Sequence, residues 1–229
     1  MQKKVNSIAH TSRFLVIFQE MKSIILILLI SSIHCFGQQS KKDSIEFQEY
    51  WTFIKSNLEK DIDSCERITK KMLLLSQERE KSTYWIKSYI SIGLVEKIKN
   101  NVFASKQAYR NAMHISDTSN NHILYGNTVY CLGTLLSDEG KLDSVAIITY
   151  KALDKLLLSN KKNTSIELRL NYRVAELEIR LKNYDKAIKI YKSHLTDEYS
   201  KRNGYLYGCL GAIYHQKKEY QNAITANLQ

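Results

Sequence analysis

The sequence contains no proline, so none of its helices ends at a residue that lacks a backbone donor. Polar segments at 117–121, 159–163 and 196–200 are expected to end the helices instead, because Asn, Asp and Ser side chains compete with the helix for backbone hydrogen bonds. Glycine is also scarce, at eight residues, and no glycine-rich phosphate-binding loop occurs. The glycines that lie inside helical patterns are therefore expected to serve helix packing.

The sequence also lacks the side-chain constellations of common catalytic and metal sites. The histidines His114, His122, His194 and His215 are isolated, and none has the spacing with glutamate that builds a helical zinc site. No Cys-x-x-Cys pair is present. We therefore predict that the protein is not an enzyme and needs no cofactor.

Basic residues outnumber acidic residues, at 34 Lys and Arg against 23 Asp and Glu. An excess of this kind can attract nucleic acid or anionic membranes. The two signs are nevertheless interleaved along the chain, as in Glu59-Lys60-Asp61, which is typical of a solvated helix surface. Nucleic acid is accordingly an unlikely partner.

The amino-terminal segment 1–37 has the pattern of an export signal. A short basic start at Met21 precedes a ten-residue apolar run from Ile24 to Ile33, and small residues follow at Cys35 and Gly37. We predict that Met21 is the true start and that cleavage occurs near Gly37. The run is much shorter than the about 20 residues that span a bilayer, so no stable membrane span is expected in the mature chain.

Small residues recur within helical patterns from residue 93 onward. They are followed twelve residues later by a second small or β-branched residue, and the spacing between successive units is 40, 42 and 36 residues. Two antiparallel helices approach to roughly 8–10 Å only where small side chains lie at their crossing. The predicted crossing pairs are Gly93 with Ser105, Gly133 with Val145, Ala175 with Ala187, and Gly211 with Ala223.

An additional helical hairpin is predicted at 38–80. Apolar residues from Phe47 to Leu58 and from Ile62 to Leu73 follow helical spacing, but the small-residue signature is weak. This segment is either a degenerate capping repeat or an ordinary helical hairpin. The repeats proper are predicted at 81–229.

The best-preserved unit is Tyr207-Gly208-Cys209-Leu210-Gly211-Ala212-Ile213-Tyr214, followed by Lys218-Glu219-Tyr220 and Ala223. Its spacing of aromatic, Leu-Gly and alanine positions resembles the tetratricopeptide repeat. The resemblance implies an all-α, right-handed superhelical solenoid of antiparallel helix pairs with four to five repeats, the last incomplete. The family's usual period is 34 residues, so longer helices or connections are expected here.

In the family that this sequence resembles, the first helices of successive repeats line a concave groove that binds a protein or peptide. Tyrosines beside arginines suit such a ligand, because tyrosine buries much area at small entropic cost. For Tyr130 and Tyr172 a role in the solenoid core is equally compatible with the sequence. Carried over by position, the predicted binding residues are Lys87, Asn127, Tyr130, Arg169, Tyr172, Arg173, Tyr205 and His215, with Lys97, Thr134 and Glu176 on the same helix faces.

Two functions remain open from the sequence. The first is an exported, periplasmic scaffold that binds a protein or peptide segment in the groove. The alternative is the sensing region of a larger bacterial signalling protein, a histidine kinase or a DNA-binding regulator, whose output domain is not part of this sequence.

Two further predictions concern the end of the chain and the cysteines. An apolar face that includes Leu210, Ile213, Ile224 and Leu228 is predicted to lie uncovered at the carboxyl end, which favours self-association. Cys65, Cys131 and Cys209 are predicted to be free thiols, because the repeat spacing holds Cys131 and Cys209 about 20 Å apart.

Overall fold

The computed structural model describes residues 41–159, 164–195 and 204–228, and these ranges contain α-helices and no strand. The predicted signal segment 1–37 lies outside the described residues. The helices are α1 at 41–57, α2 at Ile62–Arg79, α3 at Ser82–Ile98, α4 at Val102–Thr118, α5 at His122–Asp138, α6 at Leu142–Leu157, α7 at Thr164–Arg180, α8 at Tyr184–His194, α9 at Gly204–Gln216 and α10 at Tyr220–Asn227.

Two compact units are distinguished by their internal contacts. Residues 41–52 belong to the first, and the described residues from Phe53 onward belong to the second. In the first unit the Tyr50 hydroxyl donates a hydrogen bond to the Glu46 carboxylate, which raises the pKa of Tyr50 to about 12. In the second unit α2 packs against α3. The boundary expected at 80/81, between the additional hairpin and the repeats, stays a prediction.

Helix length explains the long repeat spacing. Helices α3, α4 and α5 each have 17 residues, and the connections between them have three. Two such helices with two connections make up the 40-residue step from Ser82 to His122. The first helices of the four hairpins α3–α4, α5–α6, α7–α8 and α9–α10 therefore carry equivalent positions.

One turn geometry recurs at five of the three-residue connections. The middle residue has a left-handed backbone with φ between 53° and 74°, and the third residue donates its backbone N–H to a carbonyl five residues earlier at 2.8–2.9 Å. This arrangement satisfies the last carbonyls of a helix without proline. The middle residues are Asn100, Asn120, Gly140, Lys182 and Lys218.

The helix pairs pack as the crossing residues predict in the first two hairpins. The Ser105 hydroxyl donates a hydrogen bond of 2.6 Å to the Gly93 carbonyl, and Val145 is the side chain nearest to Gly133. In the last hairpin Ala223 is buried in the same core as Leu210 and Ile213, and its pairing with Gly211 stays a prediction. The nearest atoms to a Cβ placed at Gly211 belong to the Asn227 carboxamide, because α10 continues past Ala223 over the glycine.

Cores form between consecutive hairpins as well as within them. One cluster joins Tyr125 and Val129 of α5 to Ala152 of α6 and to Ile166 and Leu170 of α7. A second cluster joins α7, α8, α9 and α10 through ten buried residues. A hairpin that shares its apolar face with the next one is the defining feature of a solenoid. The predicted all-α fold of stacked antiparallel helix pairs is confirmed.

Ion pairs also join neighbouring hairpins. Lys99 lies 2.9 Å from Glu66, Lys151 lies 3.1 Å from Asp117, and Lys106 contacts Glu139 at the end of α5. Exposed ion pairs of this kind add little to stability, because water screens the two charges. They align the hairpins, whereas the apolar clusters supply the stability.

Burial corrects the expected apolar face at the end of the last hairpin. Leu210 and Ile213 are buried in the core with Tyr191, whereas Ile224 and Leu228 are 53% and 79% exposed. The exposed part of that face therefore consists of Ile224 on α10 and Leu228, which directly follows α10. Cys65, Cys131 and Cys209 are free thiols, as predicted.

Candidate functional site

The first helices α3, α5, α7 and α9 form one surface, which we call the first-helix face. Helix α5 contacts both α3 and α7, and aromatic rings connect α7 to α9. Because these helices carry equivalent repeat positions, residues that are far apart in sequence share this face. Five of the predicted binding residues meet there: Tyr130, Arg169, Tyr172, Arg173 and Tyr205, which we call the arginine–tyrosine cluster.

The centre of the cluster is the ring of Tyr130 on α5. The guanidinium carbon of Arg169 lies 3.9 Å from the ring centroid, and that of Arg173 lies 5.0 Å from it. Both distances are within the range of favourable cation–π interaction. Positions 169 and 173 are one helical turn apart on α7, which explains how both side chains reach the same ring.

The two arginines differ in availability. Arg173 is only 8% exposed, and its Nη atoms donate to the Glu176 carboxylate at 2.7 Å and to the Thr134 hydroxyl at 2.6 Å. Arg169 is exposed and, within the described part of the chain, has no acidic partner. Arg173 therefore stabilises the buried side of the site, whereas Arg169 presents its forked donors to solvent.

A group of aromatic rings adjoins this stack. The Tyr172 ring centroid lies 5.7 Å from that of Tyr191, 5.6 Å from that of His194 and 6.1 Å from that of Tyr205. Tyr191 is buried, Tyr172 is half-buried and Tyr205 is 50% exposed. The group thus extends from the core to the surface, and Tyr172 lies between the buried Tyr191 and the exposed Tyr205.

The hydroxyl groups of this region are held neutral. Burial raises the pKa of Tyr205, and the Cys209 thiol beside it adds to the effect, as does the negative charge of Glu176. Burial and Cys209 also raise the pKa of Tyr191. At neutral pH both hydroxyls are therefore hydrogen-bond donors, and Tyr205 adds no negative charge to the surface.

Cations from both neighbouring helices converge on the middle of α5. Burial raises the pKa of the Cys131 thiol, and the positive charges of Arg169, Lys97 and Arg173 act in the opposite direction. Lys97 comes from α3, and the two arginines come from α7. Cations from both neighbours of α5 therefore act on Cys131, and the Glu176 carboxylate is paired with Arg173.

Three predicted binding residues lie apart from the cluster. Lys87 on α3 is half-buried, and burial and then the charge of Lys55 lower its pKa. The Asn127 carboxamide donates to the Ile123 carbonyl of its own helix at 3.1 Å. His215 lies at the end of α9 with its ring edge against Tyr220. The structure thus concentrates the candidate site on α5, α7 and the start of α9.

Sequence reasoning missed Tyr191 and His194, because both lie on α8, the second helix of its hairpin. Tyr191 does follow a detectable pattern. It comes sixteen residues after Ala175, as Tyr109 comes sixteen residues after Gly93, and both tyrosines are buried. A tyrosine at this repeat position reaches across to the first helices.

Other kinds of site find no support in the residues that the structure describes. No group of three or more His, Cys, Asp or Glu side chains is arranged to hold a metal ion within ranges 41–159, 164–195 and 204–228. Among the helices of those same ranges, none combines the length and apolar character that crossing a membrane requires.

No protein-family model matches the chain, and no curated protein matches it. Among solved structures the chain is similar to the crystal structure of BtubC (BKLC) from P. vanneervenii, with a TM-score of 0.63. The similarity covers 83% of this chain and 87% of that chain, at 13% sequence identity. At that identity the likeness concerns the fold alone, and it agrees with the helix-pair architecture.

Proposed function

We propose that the protein is a binding scaffold of the tetratricopeptide-repeat type, which holds a peptide segment of a partner protein on the first-helix face. The observation that carries this proposal is the arginine–tyrosine cluster, where the exposed Arg169 guanidinium stacks on Tyr130 beside the half-exposed Tyr205. Aromatic residues and arginine are the side chains that contribute most to binding at protein interfaces.

The physical state of the cluster supports binding more than a purely structural role. Two guanidinium groups pack against the Tyr130 ring, and three rings pack against the Tyr172 ring, so little side-chain entropy remains to be lost when a ligand arrives. An exposed arginine that is already positioned by stacking also loses less entropy per hydrogen bond formed. We further propose that the scaffold is exported, on the strength of the segment 1–37.

Selection of peptides tests the proposed function. The chain is used to select from a display library of random 12-residue peptides, and Tyr205→Ala is compared with Tyr150→Ala. Tyr150 is a matched control, since it is 47% exposed but lies on α6, the second helix of its hairpin. We expect the unaltered chain to enrich related sequences, and Tyr205→Ala to weaken their binding while Tyr150→Ala does not.

Two results would contradict the proposal. Failure of the unaltered chain to enrich any sequence would exclude peptide binding of useful affinity, and equal losses for the two tyrosine variants would move the site away from the cluster.

Export is checked separately, by determining the amino-terminal residue of the protein recovered from cells. An amino terminus near residue 38 is expected, and an intact segment 1–37 would exclude cleavage.

A further inference from the structure

The charges around the cluster restrict what kind of segment can bind there. Arg169 and Lys97 lie on opposite sides of α5, and neither has an acidic partner within the described residues. Within the described residues, the carboxylate that contacts this cluster is that of Glu176, and its Oε2 already lies 2.7 Å from Nη1 of Arg173. Two positive charges therefore remain uncompensated at the position where a ligand would cross α5.

We infer that the bound segment is acidic, and that an internal Asp or Glu side chain of the ligand is held at α5 by Arg169 and Lys97, next to the tyrosine surface of Tyr172 and Tyr205. This inference rests on the proposed function, because it names the chemistry of the ligand at that same site. A carboxylate accepts two parallel hydrogen bonds from a guanidinium, which an exposed and stacked arginine is arranged to give.

The environment favours this assignment over a neutral ligand. The thiol of Cys131 and the hydroxyls nearby are uncharged at neutral pH, so they compete little for the two cations. Tyr130 lies beneath Arg169 and excludes water from one side of the guanidinium. Lower local polarity strengthens an ion pair relative to one that is fully in water.

The same observations disfavour nucleic acid at this site. A nucleic-acid strand needs a series of cations along its phosphates, and its binding would be dominated by such contacts. Around the middle of α5, the cations without an acidic partner within the described residues are Arg169 and Lys97, and the Glu176 carboxylate lies beside Arg173. One or two carboxylates on an extended peptide match that number of charges.

Peptides selected by the unaltered chain provide the first test. We expect Asp and Glu to be enriched at one or two positions of the selected sequences relative to the starting library. Enrichment of peptides without an excess of acidic residues would overturn this inference and leave the proposed function standing. Failure to enrich any peptide would overturn both.

The second test combines substitutions in the peptide with substitutions in the protein. One selected peptide is labelled with a fluorophore, and its affinity for each protein variant is measured by fluorescence anisotropy. Replacing its acidic residue by the corresponding amide should weaken binding to the unaltered chain about tenfold or more, as for loss of a hydrogen bond to a charged group. Arg169→Gln and Lys97→Gln should bind both peptide forms with nearly equal affinity. Arg110→Gln, an exposed arginine on α4, and Lys189→Gln, an exposed lysine on α8, should retain the full preference.

Three results would overturn the inference in this second test. The first is that Arg169→Gln and Lys97→Gln prefer the acidic peptide over its amide form as strongly as the unaltered chain does. The second is loss of binding when only the carboxyl terminus of the peptide is amidated, which would replace an internal side chain by a terminal carboxylate as the bound group. The third is displacement of the peptide by a random oligonucleotide at physiological salt, which would indicate nucleic acid instead.

Discussion

Adding a single methyl group at Gly93 is expected to destabilise the protein, although alanine is the better helix former. A Cβ at this position would lie 2.3 Å from Cε1, 2.6 Å from Cδ1 and 2.7 Å from Cζ of Tyr109. The Tyr109 ring is fully buried between α4 and the first helices, so it cannot rotate away into solvent. The helix crossing itself must therefore widen to accept Gly93→Ala.

The magnitude follows from two opposing effects. Alanine in place of glycine inside a helix stabilises by roughly 0.5–1 kcal/mol, whereas overpacking a well-packed core costs typically about 1–3 kcal/mol. We expect a net loss of about 1–2 kcal/mol for Gly93→Ala. Gly133→Ala is the matched control, since its Cβ would lie 3.7 Å from Val145 and 3.8 Å from Arg173, at ordinary contact distance. It should gain about 0.5–1 kcal/mol.

Urea denaturation followed by circular dichroism measures both changes in the free energy of unfolding. The two variants should shift the midpoint in opposite directions with little change in slope. A double variant of Gly93→Ala with Tyr109→Leu should show a favourable interaction energy, because removing the ring removes the clash. If Gly93→Ala were as stable as Gly133→Ala, the contact between Gly93 and Tyr109 would not limit the packing of this hairpin.

Three further predictions concern charge, surface and thiol chemistry. Hydrogen bonds from Lys106 and Lys141 lower the pKa of Glu139 from 4.5 to about 2, so its ion pairs stabilise the fold above pH 4.5 and are lost as the pH falls towards 2. Over this pH range the urea midpoint of the unaltered chain should fall more steeply than that of Glu139→Gln, and parallel curves for the two proteins would contradict the pairing. Replacing the exposed Ile224 and Leu228 together by Lys should reduce self-association in sedimentation velocity without lowering the melting temperature. An unaltered chain that is monomeric at every concentration would contradict this prediction. Cys65 should react with a thiol reagent only on unfolding, because it is fully buried and burial raises the pKa of its thiol; rapid labelling of the native chain would refute this.

Much of the fold could be predicted from the sequence because its signals are local. Small residues such as Gly93 and Gly133 mark helix crossings, and Asn100 and Gly140 end helices in the left-handed conformation that these residue types tolerate best. The 40-residue spacing predicted longer helices or longer connections, and the structure has 17-residue helices with three-residue connections. Lys182 and Lys218 adopt the same turn without a favourable residue type, so the repeat position identifies those turns better than the residue does.

The candidate site was harder to predict, because a spacing rule assigns a face to each residue but not its contacts. The rule placed Arg169 and Arg173 together correctly, and it gave them equal roles. Their difference arises from tertiary neighbours: Thr134 and Glu176 bind Arg173, whereas Arg169 remains exposed. The rule also included His215, whose contact with Tyr220 at the end of α9 depends on the turn that follows.

The origin of the site can be traced to one repeat position in the core. Sixteen residues after Gly93 the chain has Tyr109, whose ring fills the space beside that glycine. Sixteen residues after Gly133 it has the smaller Thr149, and the guanidinium of Arg173 from the next hairpin approaches Gly133 instead, with Nε 3.8 Å from the position of a Cβ. A buried arginine is stable only with partners, and those partners include the ring of Tyr130. Tyr130 in turn supports Arg169 at the surface, so the exposed cation depends on a small residue in the core.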